Sequence, residues 1–156
     1  MAQESEGSVV EDKAALLMFR AAGDPDGDLA SWDEATEPCG EGWNSDWSGW
    51  AGVQCDAEGG RVTRISLVNK DGLLGTLESL APLTALNYLY LYSCRAVSGD
   101  VGSLATLTQL STLNLSSTSV SGSVEPLAAL TQLTTLRLEH TSVSGSVEPL
   151  VAMTQL

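Results

Sequence analysis

The sequence predicts an α/β solenoid, short units stacked along one axis with a parallel β-sheet on one side and a helical cap at the amino end. Three observations predict it: a fixed repeat, strand-like alternation of apolar residues inside each repeat, and a charge-rich opening stretch that does not repeat. The charge is unevenly placed. Residues 1–60 hold 14 acids and 2 bases, whereas residues 61–156 hold 6 acids and 5 bases. The chain therefore divides near residue 60 into an acidic lid and a near-neutral stack.

The repeat is read directly. From Leu107 the chain runs LTQLSTLNLSSTSVSGSVEPLAA, and from Leu130 it runs LTQLTTLRLEHTSVSGSVEPLVA. Two more divergent copies precede these. Leu86, Leu89 and Leu91 take the places of Leu110, Leu113 and Leu115, and Val62, Ile65 and Leu67 take them one unit earlier. Gly75, Gly99, Gly122 and Gly145 recur in step, followed by Leu77, Val101, Val124 and Val147, and then by Leu80, Leu104, Leu127 and Leu150. Within a unit, the last two apolar residues of LxxLxL stand two apart, as on one face of a strand. Pro126 and Pro149 then open a short apolar helical turn, where a missing N–H costs nothing. A unit this short cannot bury its apolar edge alone, so units must stack.

Upstream, EDKAALLMFRAA over residues 11–22 has helix-forming composition, with Glu11 and Asp12 in the first turn and Gly23 and Pro25 ending it. Ala14, Leu17, Met18 and Ala21 fall at helical spacing and are expected to cover the open edge of the first repeat. Trp32, Trp43, Trp47 and Trp50 are expected to fill the seam between cap helix and first strand. Cys39 and Cys55 suit a disulfide in an oxidising compartment, yet the polar amino terminus carries no signal-peptide core. Residues 1–10 are expected to be disordered, 11–60 to form the cap and 61–156 the repeats.

These features resemble the leucine-rich repeat family. The SGxV segment after each strand is similar to its plant-type class, and DKAALLMFR, DPDGDLASW and WAGVQCD are similar to its amino-terminal cap. The resemblance implies a concave face lined by the parallel sheet, a recognition role in a receptor-like or secreted protein, and an extracellular or cell-surface location, with a cytoplasmic one as the alternative. Where the family places an inward Asn, this chain has Lys70, Cys94, Thr118 and Thr141; a Thr hydroxyl can donate to a backbone carbonyl in its stead.

Chemistry has few footholds. The only His, His140, is expected to be solvated beside Glu139, and no GxSxG, HExxH or phosphate-cradling loop occurs. Asp24, Asp26 and Asp28 lack the spacing of an EF-hand, with Gly27 at position 4 rather than 6 and Ala35 at position 12. Neither an enzyme nor a cofactor or metal site is expected. An acidic chain disfavours nucleic acid, and no apolar run reaches the ~18 residues of a membrane helix.

The surface left for function is the outward face of the strands: Arg64, Ser66 and Val68; Tyr88, Tyr90 and Tyr92; Thr112, Asn114 and Ser116; Thr135, Arg137 and Glu139. All three tyrosines lie on one strand, and Tyr offers large contact area at little entropic cost. The two near-identical units differ at Ser111/Thr134, Asn114/Arg137, Ser116/Glu139, Ser117/His140 and Ala128/Val151. Three of these changes alter polar chemistry on or beside this face. Arg64, Tyr88, Tyr90, Tyr92, Asn114, Arg137, Glu139 and His140 are the candidate binding residues, for a protein or peptide ligand. A structural array that self-associates end to end is the alternative, because Leu136, Leu138, Val147 and Leu150 are expected to lack a neighbour unless further repeats follow.

Overall fold

The computed structural model describes residues 8–40, 49–57, 60–153 and 155–156. Trp43, Trp47 and residues 1–7 of the expected disordered terminus lie outside the described residues. Helix α1 spans Val9–Ala21 and opens with a capping box: the Ser8 hydroxyl accepts from the Glu11 N–H while the Glu11 carboxylate accepts from the Ser8 N–H. Strand β1 (Val53–Cys55) runs antiparallel to β2 (Val62–Ser66), and helix α2 (Leu77–Leu80) follows. From there each unit delivers a strand, a second short strand and a 3₁₀ turn. The first strands are β3 (Tyr88–Tyr90), β5 (Thr112–Asn114) and β7 (Thr135–Arg137). The second strands are β4 (Ser98–Asp100), β6 (Ser119–Ser123) and β8 (Ser142–Ser144).

Among the described residues these strands form two sheets, a five-stranded one in the order β1-β2-β3-β5-β7 and a three-stranded one in the order β4-β6-β8. The first is the sheet expected from LxxLxL. The second was expected only as a turn. β6 and β8 read Ser-Val-Ser where β4 reads Ser-Gly-Asp, and the glycines in or just after these strands adopt φ of 110° (Gly99), 93° (Gly122) and 98° (Gly145), which explains one part of the glycine periodicity. Gly75 recurs for a different reason: a Cβ there would lie 2.4 Å from the ring of Phe19, so the first repeat can approach the cap helix only without a side chain.

The core between the sheets is a set of apolar ladders. Ile65, Leu89 and Leu113 are in register and fully buried, as are Leu67, Leu91 and Leu115 one pleat on. Each such side chain contributes roughly 1.5–3 kcal/mol of burial. The inward polar position behaves as the Thr hydroxyl allows: Thr118 donates to the Leu115 carbonyl at 2.6 Å and Thr141 to the Leu138 carbonyl at 2.7 Å. Cys94 fills that place with a buried thiol whose pKa is pushed up by burial, and its sulfur lies 3.5 Å from the Leu67 carbonyl oxygen. Lys70 does not turn inward; its ammonium reaches Asp28 at 3.0 Å and ties the first repeat to the Asp24–Asp28 turn.

The cap presents a different face from the one expected. Ala15, Leu16 and Phe19 are buried with Asp12, whereas Ala14, Met18 and Ala21 are exposed and Leu17 is half-buried. The decisive contact is Asp12. Its carboxylate accepts from Arg61 Nε at 2.9 Å, from Arg61 Nη2 at 3.1 Å and from the Val62 N–H at 2.8 Å, so the buried charge is fully engaged at the start of β2. The same bond holds Arg61 above the usual guanidinium range. Beside it Trp32 and Trp50 stack with centroids 5.7 Å apart, and both indole N–H groups are satisfied, Trp32 by the Ala51 carbonyl and Trp50 by Thr36 Oγ1. A disulfide joins Cys39 to Cys55 with Cα atoms 5.6 Å apart.

At the far end Leu136 and Leu138 are only partly buried and Val147 is 63% exposed, as expected of an edge without a neighbour. Leu150 departs from that expectation, since it is buried at 8% exposure within its own turn.

Candidate functional site

Strand register assembles the candidate face into rows. Arg64, Tyr88, Thr112 and Thr135 stand side by side across β2, β3, β5 and β7, and Ser66, Tyr90, Asn114 and Arg137 form the next row. Backbone bonds beyond the strand ends carry the alignment further, from Asn69 N–H to the Tyr92 carbonyl, from Ser93 to Ser116 and from Ser117 to Glu139. The residues that follow turn the chain. Asn69, Ser93, Ser117 and His140 have φ of 58°, 55°, 58° and 57°, one left-handed residue per unit. Asn and His tolerate this region better than most residues, so the Ser117/His140 difference falls where the backbone selects and the side chain is free.

The tyrosines make a continuous column along β3. Tyr88 and Tyr90 stack with centroids 6.0 Å apart and an interplanar angle of 11°, and Tyr92 leans on Tyr90 at 6.3 Å and 41°. A column of tyrosines combines apolar rings with phenol hydroxyls, which suits hydrogen bonding combined with apolar contact. Arg64 closes the column: its guanidinium carbon lies 4.0 Å from the Tyr88 centroid, a cation–π geometry. The opposite side of the face is polar. Asn114, expected as an outward binding residue, is buried at 3% exposure together with Ser116, because its side-chain oxygen folds back to accept from the Ser116 N–H at 2.9 Å. The buried Ser116 hydroxyl donates to the exposed Glu139 carboxylate across the two strands. That bond, helped by Arg137 and His140, holds Glu139 below the usual carboxylate range.

His140 stands apart from this column. It lines a shallow depression of about 270 Å³ with Arg95, Ser117 and Ser119 on the turns beside the sheet. Arg95 was not singled out from the sequence. One repeat step carries position 95 to 119, and the structure joins the two, the Ser119 hydroxyl donating to the Arg95 carbonyl at 2.6 Å. Among the described residues, no group of three or more His, Cys, Asp or Glu is placed to hold a metal ion, and no helix is long and apolar enough to cross a membrane.

Residues 10–56 match the family model of the leucine-rich repeat N-terminal domain. This chain is a leucine-rich repeat protein with a plant-type amino-terminal cap. The chain is 38% identical over 80 residues to a probable leucine-rich repeat receptor-like protein kinase of Arabidopsis thaliana; the match takes in 51% of this chain and 10% of that protein. Its fold is similar to that of a plant ice-binding protein, with a TM-score of 0.76 and 27% identity over 92% of this chain and 44% of the other. It is also similar to the structure of the BIR3–SERK2 complex from Arabidopsis thaliana, with a TM-score of 0.70 and 26% identity over 93% of this chain and 77% of that one. The leucine-rich repeat chain thus spans a tenth of the receptor-like kinase it resembles.

Proposed function

We propose that this leucine-rich repeat chain is a non-enzymatic recognition module that binds a protein or peptide segment on its concave sheet face, in a receptor-like or secreted protein at the cell surface. The observation that carries the reading is the Tyr88–Tyr90–Tyr92 column with Arg64 against it, an aromatic surface outside the core. Aromatic and Arg side chains dominate binding energy at interfaces. The likeness to a receptor-like kinase and to a structure of a two-protein complex supports a protein partner. Arg137 and Glu139 would set polar specificity beside the column, with His140 at the rim and Asn114 buried beneath them.

The test is selection from a displayed peptide library against the full chain, followed by binding of the enriched peptides to the Tyr90→Ala variant. Affinity should fall at least about tenfold, the signature of a hot-spot residue. The melting temperature should stay nearly unchanged, because Tyr90 is outside the core. Unaltered affinity would remove this face from the reading.

The three-stranded sheet favours a second reading. Its outward residues are almost all small hydroxyls set in rows, Ser98 beside Ser119, Asp100 beside Ser121 and Ser142, and Ser123 beside Ser144. The serines at 119, 121 and 123 recur unchanged at 142, 144 and 146, whereas the concave face differs between the same two units. With the likeness to a plant ice-binding protein, this array supports contact with ice. Ice recrystallisation should be inhibited by the chain and not by a Ser121→Lys, Ser144→Lys variant; no inhibition by the unaltered chain ends this reading.

A further inference from the structure

Helix α1 is apolar on two sides, and only one of them is used. Ala15, Leu16 and Phe19 pack inward, while Val10, Ala14 and Met18, at i, i+4 and i+8, form a second stripe about 12 Å long. Val10 is 71% and Met18 66% exposed. Beside this stripe a groove of about 690 Å³ separates α1 from α2, with Ala14 and Met18 on one wall and Ser79 and Pro82 on the other. Carboxylates mark its two sides, Glu11 from α1 and Glu78 from α2. Each commits one oxygen to a backbone N–H, of Ser8 and of Asp100, respectively. Arg61, which follows the cap, is bound to buried Asp12. The helix belongs to the acidic lid, residues 1–60, whose sequence holds 14 acids and 2 bases.

We infer that this groove, remote from the concave face, docks a cationic amphipathic helix of a partner protein. A stripe at helical spacing beside an open groove matches the way one helix lays apolar anchors along another. Met18 is the adaptable anchor point, unbranched and polarizable. Charge then selects the partner. Lys or Arg flanking the apolar anchors meets Glu11 and Glu78 and is drawn in by the field of the lid, whereas an acidic helix or an anionic lipid surface is repelled.

The test uses the full chain and a fluorescein-labelled synthetic helix of about five turns, leucine on one face and lysine on its flanks. A matched peptide with glutamate flanks and vesicles of phosphatidylserine serve as comparisons. The lysine peptide should bind saturably and more weakly as salt rises. Met18→Asp should weaken it at least about tenfold, and Ala14→Glu provides the same test at a second exposed position. Glu11→Gln with Glu78→Gln, which keeps both backbone hydrogen bonds, should weaken it about threefold. Tyr90→Ala should leave it unchanged, so that failure here is distinct from failure of the concave site. Equal binding of both peptides, preference for the vesicles, or indifference to both Met18→Asp and Ala14→Glu in a folded chain would overturn the inference.

Discussion

The cap and the repeat stack are held together in opposite ways. In the cap each important contact occurs once: Asp12 with Arg61, Trp32 on Trp50, Cys39 with Cys55, and Phe19 over the bare Cα of Gly75. In the stack the same contact is written several times, as in the ladder Ile65, Leu89 and Leu113 or the paired Thr118 and Thr141 hydroxyl bonds. A seam of unique contacts fails at one residue. A ladder spreads its stability over neighbouring units and leaves the outward face free to vary. The differences at 114/137, 116/139 and 117/140 lie on or beside that face.

The largest expected effect therefore belongs to the seam. Asp12→Ala takes the carboxylate from part-buried Arg61, which keeps Thr84 Oγ1, and leaves the buried Val62 N–H without its acceptor, at a cost of about 3 kcal/mol. Denaturant midpoints measure the total, and hydrogen exchange shows where it falls. Amides of α1, β1 and β2 should lose protection first, while those of β3 and β5 hold. Simultaneous loss throughout would show a single cooperative unit and dissolve the contrast. A rung of the stack should matter less. Thr118→Val keeps the shape and removes the hydroxyl bond to the Leu115 carbonyl, at a cost of about 1 kcal/mol. A thermal melt measures this, and a loss as large as that of Asp12→Ala would erase the distinction between seam and ladder.

The stack was legible in the sequence because periodicity over-determines it. Once Leu113 is placed inward, Leu89 and Ile65 follow by fixed steps, and the outward rows follow with them. The second sheet was not, because Ser-Val-Ser-Gly offers one apolar residue per strand and a glycine that reads as a turn. The cap helix misled for a physical reason. Ala14 and Met18 form as good a stripe as Ala15 and Phe19, and the true inner face contains an acid, Asp12, whose partner stands 49 residues away. Helical spacing alone places such an acid in solvent. The tyrosines were legible as an outward row, but not their stacking or the Arg64 contact, which depend on side-chain conformation. Glu139 was legible as exposed, but its bond from Ser116 joins two units and needed the strand register.

In the proposed function the tyrosine column recognises a ligand and does little for the fold. The direct measurement is the affinity of library-selected peptides for the Tyr90→Ala chain beside its melting temperature. Affinity should fall about tenfold or more with the melting temperature nearly unchanged. Full affinity with the column broken, or a collapse of the fold without it, would show that the column is not the recognition site.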